Sequence, residues 1–270
     1  MQNCRLDDLI SSNSDNKKLV DALSIIQPRS ITGSLSEFDS FELYQFMQVF
    51  CQNVDETITG SENFPGKMLT PRKNRISLPD DIYELLVKYY NDSYDDWNFV
   101  SIAELATSSD LSSNEQIVIL PVVNQFGRVQ ITTEIFGSTL ASRYQRSSNI
   151  LAKFIDKNDA VDIYPGRVQF YFEHLVEFPN GTKKIHQLAF VKWYMFAPNQ
   201  QTRFHCRIGN IDDNSCNIEL WKYEFHELSR DSIIPIHNIY SRFISSKFTV
   251  GTRNPTTYMA VIPINRRFHL

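Results

Sequence analysis

His205, Cys206, Cys216 and His226 form the one Cys/His grouping in this 270-residue chain, and zinc is the chemistry that such a grouping would serve. The spacing speaks against it. Nine residues separate the two cysteines, and neither histidine has a partner three to five residues away. As neighbours on a strand, His205 and Cys206 would point to opposite faces. Buried structural cysteines and surface histidines are the plainer reading. No nucleophile elbow, phosphate-binding loop or HExxH zinc motif occurs. A nuclease core of the ribonuclease H type wants carboxylates on successive strands and on a following helix, whereas here the helical patterns precede the strands. Asp231, just before the apolar run from Ile233, has the type to hold a metal; capping a turn before a strand explains it more simply. Asn180-Gly181-Thr182 has the form of a glycosylation acceptor and is accounted for by a turn. No catalytic residue, metal ligand or cofactor is therefore expected.

The aromatic residues offer binding chemistry instead. Glu219, Trp221 and Tyr223 alternate along one strand face, with Leu220 and Lys222 on the other. On a neighbouring strand, Phe190, Lys192, Tyr194 and Phe196 alternate with Ala189, Val191, Trp193 and Met195. One set must face the core, which leaves the other partly exposed. An exposed aromatic group beside an acid holds a methylated ammonium by cation–π attraction of about 0.5–2 kcal/mol per contact. The competing use of Trp193 and Trp221 is core packing, where each buries roughly 150–250 Å². Trp193, Tyr194, Glu219, Trp221 and Tyr223 are the candidates for a ligand or peptide site. A second candidate set is basic. Arg167, Arg203, Arg207, Arg242, Arg253, Arg266 and Arg267 outweigh the lysines of the back half, and arginine suits phosphate forks. Arg167, Arg203, Arg207, Arg242, Arg266 and Arg267 are the nucleic-acid candidates, although they form no clustered stripe.

The elements that must position these residues divide by period. Residues 1–159 carry 14 basic and 22 acidic residues, and residues 160–270 carry 13 and 9, so an acidic front precedes a basic back. Residues 1–33 are polar and weakly patterned, which predicts a loosely ordered N-terminus. Ser34-Leu35-Ser36-Glu37 has capping-box spacing ahead of a helix carrying Phe41, Tyr44, Phe46, Met47, Val49 and Phe50. Residues 60–76 read as a linker holding Pro65, Gly66 and Pro71; its Pro71-Arg72-Lys73-Asn74-Arg75 cluster is solvated charge or a nuclear address. Ser77-Leu78-Pro79-Asp80-Asp81 then opens the clearest helix, with Ile82, Leu85, Leu86, Tyr89 and Tyr90 on one stripe. The helical region runs over 34–110, and the polar loop Thr107–Glu115 ends it.

Beyond that loop the pattern becomes strand-like. Segments are predicted at Ile117–Val123, Arg128–Ile135, Ile150–Ile155, Tyr164–Phe178, Ile185–Phe196, Thr202–Ile208, Asn217–Tyr223, Ile233–Phe243 and Thr257–Ile264. A short helix fits Arg143–Ile155 nearly as well. Asn180-Gly181 predicts a hairpin with a type I′ turn. Strands at short intervals without intervening helices give an antiparallel barrel or sandwich. The fold class is thus α+β, a helical N-terminal region followed by a mostly antiparallel β module over 117–264. The longest apolar run falls far short of the ~20 residues that a membrane helix needs. The opening residues lack a signal-peptide pattern, and the four cysteines form no CxxC pair, so a reduced intracellular compartment is expected.

Two resemblances rest on particular residues. Tyr164-Pro165-Gly166-Arg167-Val168 with Phe170 and Phe172, then Val191-Lys192-Trp193-Tyr194, Glu219-Leu220-Trp221 and Ile234-Pro235-Ile236-His237-Asn238-Ile239 follow an order that resembles the bromo-adjacent homology (BAH) fold, a small twisted β-barrel. Phe243 stands where that family commonly has a cysteine, and Arg203–Asn217 is an insertion. The longer span, with Asn124-Gln125-Phe126-Gly127-Arg128, Glu134-Ile135-Phe136-Gly137-Ser138, Ile150-Leu151-Ala152-Lys153-Phe154 and Tyr258–Arg266, is similar to the C-terminal region of fungal CACTA-type transposon reading frames. Together they imply a nuclear, transposon-derived, non-enzymatic module that binds a chromatin protein or histone peptide. The alternatives are a nucleic-acid-binding accessory segment of a transposase, or an inactive remnant of a metal-dependent nuclease. Neither resemblance supplies catalytic residues, a cofactor or an oligomeric state.

Overall fold

Proline and glycine punctuation and period-two alternation set the order of elements. That order is seen in a computed structural model describing residues 58–64, 66–107, 116–155, 161–198, 218–252 and 255–264. The chain runs β1 (Gly66–Ser77), α1 (Asp80–Ser93), β2 (Asn98–Val100), α2 (Ile102–Thr107), β3 (Gln116–Val118), β4 (Val122–Ile131) and β5 (Glu134–Phe136). A 3-10 turn at Ser142–Ser148 leads into β6 (Asn149–Ile155), β7 (Val161–Glu177), β8 (Lys183–Phe196) and β9 (Glu219–Phe225). A further 3-10 turn, Arg230–Ser232, precedes β10 (Ile233–Pro235). Another, Ile236–Asn238, precedes β11 (Ile239–Val250), and β12 (Thr256–Pro263) closes the series. The described residues are mostly antiparallel sheet with few helices. One large sheet has the order β1-β4-β7-β6-β11-β12-β9-β8-β10, and β7 also pairs with β8. The pairings β7–β6–β11–β12–β9–β8 therefore return to the strand on which they began. A short parallel pair, β2–β3, stands apart from it.

The stripe expected on α1 is buried as read: Ile82, Leu85, Leu86, Tyr89 and Tyr90 all lie inside, joined by Tyr83 and Val87. Pro79 occupies the N-cap position without a side-chain cap, and Asp80 and Asp81 fill the first turn, where the helix dipole favours acids. This face packs with Phe170, Phe172, Val176, Leu188 and Phe190 of β7 and β8 in one core cluster. Helix and sheet thus share an interior, and the division into a helical region over 34–110 and a separate β module from 117 does not hold for the described residues, which belong to one compact unit. The expected linker is also a strand. β1 pairs with β4 from Gly66↔Ile131 to Ser77↔Val122, with irregularities at Thr70–Pro71 and Asn74–Arg75 absorbing the residues that do not fit a regular ladder.

Three strand predictions change in detail. Pro121 splits Ile117–Val123 between β3 and β4. The Arg143–Ile155 ambiguity resolves into a 3-10 turn followed by a strand. The β7–β8 hairpin is not type I′. Gly181 N–H donates to Phe178 O and Phe178 N–H to Thr182 O, with positive φ at Gly181 but not at Asn180. That is a type I turn over Pro179–Asn180 followed by a left-handed glycine, the geometry of a three-residue loop. The expected helix over Phe41–Phe50, the N-terminal 1–33 and the strand Thr202–Ile208 lie outside the described residues. Among the described residues, no helix is long and apolar enough to cross a membrane.

Candidate functional site

The β6–β7 register sets Phe154 opposite Asp162 and Ala152 opposite Tyr164, and the β7–β8 register sets Gly166 opposite Trp193. Because side chains alternate, Asp162, Tyr164, Phe154, Trp193 and Met195 fall on one face. Further along this face the same strands bury Ile150, Ala152, Val168 and Val191. Where the core ends, the aromatic residues run out to solvent and line a cavity of about 710 Å³. Phe154 stands nearly perpendicular to both neighbours, 5.5 Å from the Tyr164 ring at 86° and 5.1 Å from the Trp193 ring at 82°. The connection from β9 to β10 supplies the other wall, with His226, Glu227, Ser229 and Asp231.

Trp193 is fixed in this wall by two features. Its indole N–H donates to Asp231 O at 2.7 Å. Opposite it, Gly166 has no Cβ, and an added one would lie 2.6 Å from Cε3 and Cζ3 of the indole. Three carboxylates, Asp162, Glu227 and Asp231, border the cavity. Asp231 also pairs with Arg230 at 3.1 Å. An apolar, aromatic cavity edged with carboxylates can hold an organic cation: ring faces attract the charge, and the acids supply a compensating field. Met195 adds a polarisable wall.

Of the sequence-predicted ligand residues, only Trp193 belongs to this cavity. The structure corrects the expectation that one face of β8 stays partly open. Leu188 and Phe190 are buried on one side, and Ala189, Val191 and Trp193 on the other, because sheet partners and α1 cover both faces. Trp221 is 0% exposed, and its indole N–H donates to Glu219 Oε2 at 3.0 Å. Trp221 is therefore a core residue, and Glu219 is engaged with it rather than with a ligand. Tyr194 is buried beside Phe225 and Phe243. Tyr223 is 51% exposed, with Lys247 Nζ 4.9 Å from its ring centre. No local signal in the sequence joins Phe154, Asp162, Tyr164, Met195 and Glu227, because only the strand register brings them together. Asp231, whose side-chain type could serve a metal, lies inside the Arg230–Ser232 turn, which Ser229 and Ser232 cap reciprocally.

Of the basic candidates, the two that are described lie apart. Arg242 lies 3.6 Å from Glu134, whereas Arg167 lies in a separate cavity with Tyr194 and Tyr223. Arg203, Arg207, Arg253, Arg266 and Arg267 are outside the described residues, as are His205, Cys206 and Cys216 of the Cys/His grouping. Among the described residues, no group of three or more His, Cys, Asp and Glu side chains is placed to hold a metal ion. Compared with known proteins, the chain matches no family model, no curated protein and no solved structure.

Proposed function

We propose that the chain is a non-enzymatic recognition module that takes a cationic side chain, a methylated ammonium above all, into the cavity walled by Phe154, Tyr164 and Trp193. The partner is a chromatin protein or histone peptide, and the body carrying the cavity is a barrel of the BAH kind within a transposon-derived, nuclear protein. The observation that carries the binding reading is the aromatic cavity edged by Asp162, Glu227 and Asp231. The ring of strand pairings through β6–β9, β11 and β12 supports the barrel. Each ring contributes about 0.5–2 kcal/mol toward a bound cation, so three rings account for micromolar affinity once a peptide backbone adds contacts.

The test is a titration of the full chain with histone peptides bearing lysine or trimethyllysine, followed by tryptophan fluorescence. Trimethyllysine binding is expected to be the tighter of the two. Phe154→Ala and Asp162→Asn are expected to weaken it at least fivefold while the thermal midpoint of Asp162→Asn stays near the parent's. Equal, unsaturable titrations for both peptides would remove this reading.

A further inference from the structure

A second cavity, of about 360 Å³, shares no lining residue with the aromatic one. It lies among the Ser142–Ser148 turn, β7, β8, β9 and β11. Among the described residues its charges are all of one sign: Arg146, Arg167 and Lys247 line it, and no aspartate or glutamate does. Its neutral lining residues include Tyr194, Tyr223 and Ser245, each of which carries a hydroxyl. Asn149 Nδ2 donates to Ser245 Oγ at 3.0 Å, which leaves that hydroxyl's own hydrogen free to turn toward the cavity. Burial pushes the Tyr194 hydroxyl up to about 12, with Arg167 pulling it down and Tyr223 pushing it up, so at neutral pH it is a donor.

Arg167 is the unexplained member. It is half-buried, its Nε is shielded from solvent and makes no hydrogen bond, and among the described residues no carboxylate pairs with its guanidinium. A shielded charged donor without a partner is costly, and the partner that would relieve the cost is an anion. Three cations and several hydroxyl donors exceed what the two oxygens of a carboxylate can engage. A tetrahedral oxyanion with two negative charges matches them in number and in geometry.

We propose that this cavity is an anion site that takes a phosphate group, with Arg167 at its base and Arg146 and Lys247 at its rim. The site is independent of the cation-binding cavity, so either function can fail without the other. The phosphate is the terminal group of a small phosphomonoester, which carries the two charges and three free oxygens that a nucleic-acid diester, with one charge and two free oxygens, lacks.

The experiment titrates the full chain with inorganic phosphate at low chloride, followed by heteronuclear NMR. Saturable shifts are expected around the cavity. Arg167→Gln is expected to weaken binding at least tenfold and Lys247→Gln a few-fold. Arg128→Gln, whose guanidinium stacks 4.5 Å over Tyr144 outside the cavity, is expected to leave it unchanged. Arg167→Lys keeps the charge but not the fork, and an intermediate loss with an unchanged melting temperature separates binding from folding. Displacement by a nucleoside monophosphate is expected, and displacement by a short DNA duplex without terminal phosphates as readily as by the monophosphate would count against a doubly charged terminal phosphate. Absent saturable shifts, or Arg167→Gln binding as tightly as the parent, would overturn the proposal.

Discussion

Gly166 and Trp193 act as a pair. The glycine does not need an unusual backbone angle; it needs empty space, because the indole and Val191 Cγ1 occupy the volume where a Cβ would sit. Gly166→Ala is expected to cost about 1–3 kcal/mol, the usual range for overpacking. A urea midpoint reports the loss. A tryptophan emission spectrum should shift with it, since the ring must leave its bond to Asp231 O. An unshifted spectrum together with an unchanged midpoint would show that the ring does not depend on the glycine. The contrast with Trp221 is instructive at this scale. Both indoles donate hydrogen bonds, but Trp221 does so inside a closed cluster with Leu151, Phe243, Met259 and Val261, whereas Trp193 lies where the core opens.

The hairpin joining β7 and β8 fixes the register on which the aromatic cavity depends. Its Gly181 sits at φ 79° with nothing within 4 Å of a Cβ, so the demand there is purely conformational. Gly181→Ala is expected to destabilise by about 1 kcal/mol and Gly181→Asn by less, since asparagine tolerates the left-handed region. Denaturation of the two variants checks the order. The hairpin itself was legible from Pro179-Asn180-Gly181, as was α1 from its stripe. The turn type was not, because Asn-Gly serves both a two-residue loop and the end of a three-residue one. β1 was illegible for a different reason. Pro71 and a run of exposed cations look like a connector, and only the ladder to β4 makes them a strand. The cavity was harder still, since its residues come from four segments whose register no local pattern states.

The described body as a whole is built around a buried polar seam between α1 and the sheet. His174 Nε2 lies 2.9 Å from Leu120 O, which can only accept, so that nitrogen carries the hydrogen and Nδ1 accepts from Tyr90 Oη at 2.8 Å. His186 on the paired strand lies 2.7 Å from Tyr94 Oη. Burial lowers His174 to about 4 and His186 to about 3, with the neighbouring His174 adding to the latter. Both therefore fold as neutral rings, and the unfolded chain takes up protons first as pH falls. The sign follows: stability is full above the unfolded value of 6.5 and declines as pH drops from there toward 4 and 3. The loss is on the order of 2 kcal/mol per histidine by about pH 5. Urea midpoints at pH 7.5 and 5 should differ accordingly, and the difference should shrink in His174→Gln, which cannot titrate. Midpoints that coincide in the parent would contradict the buried neutral pair.

β1 ends the large sheet, and among the described residues it pairs on one side only. An open ladder of this kind invites a second chain to add itself and so seeds fibres. Lys67, Arg72, Lys73 and Arg75 stand along it in solvent, and Pro71 withholds a backbone hydrogen. What looked like a tether is a strand whose charges serve as a guard rail: mutual repulsion between approaching copies keeps this margin unextended, and concentrated salt, by screening it, weakens the guard.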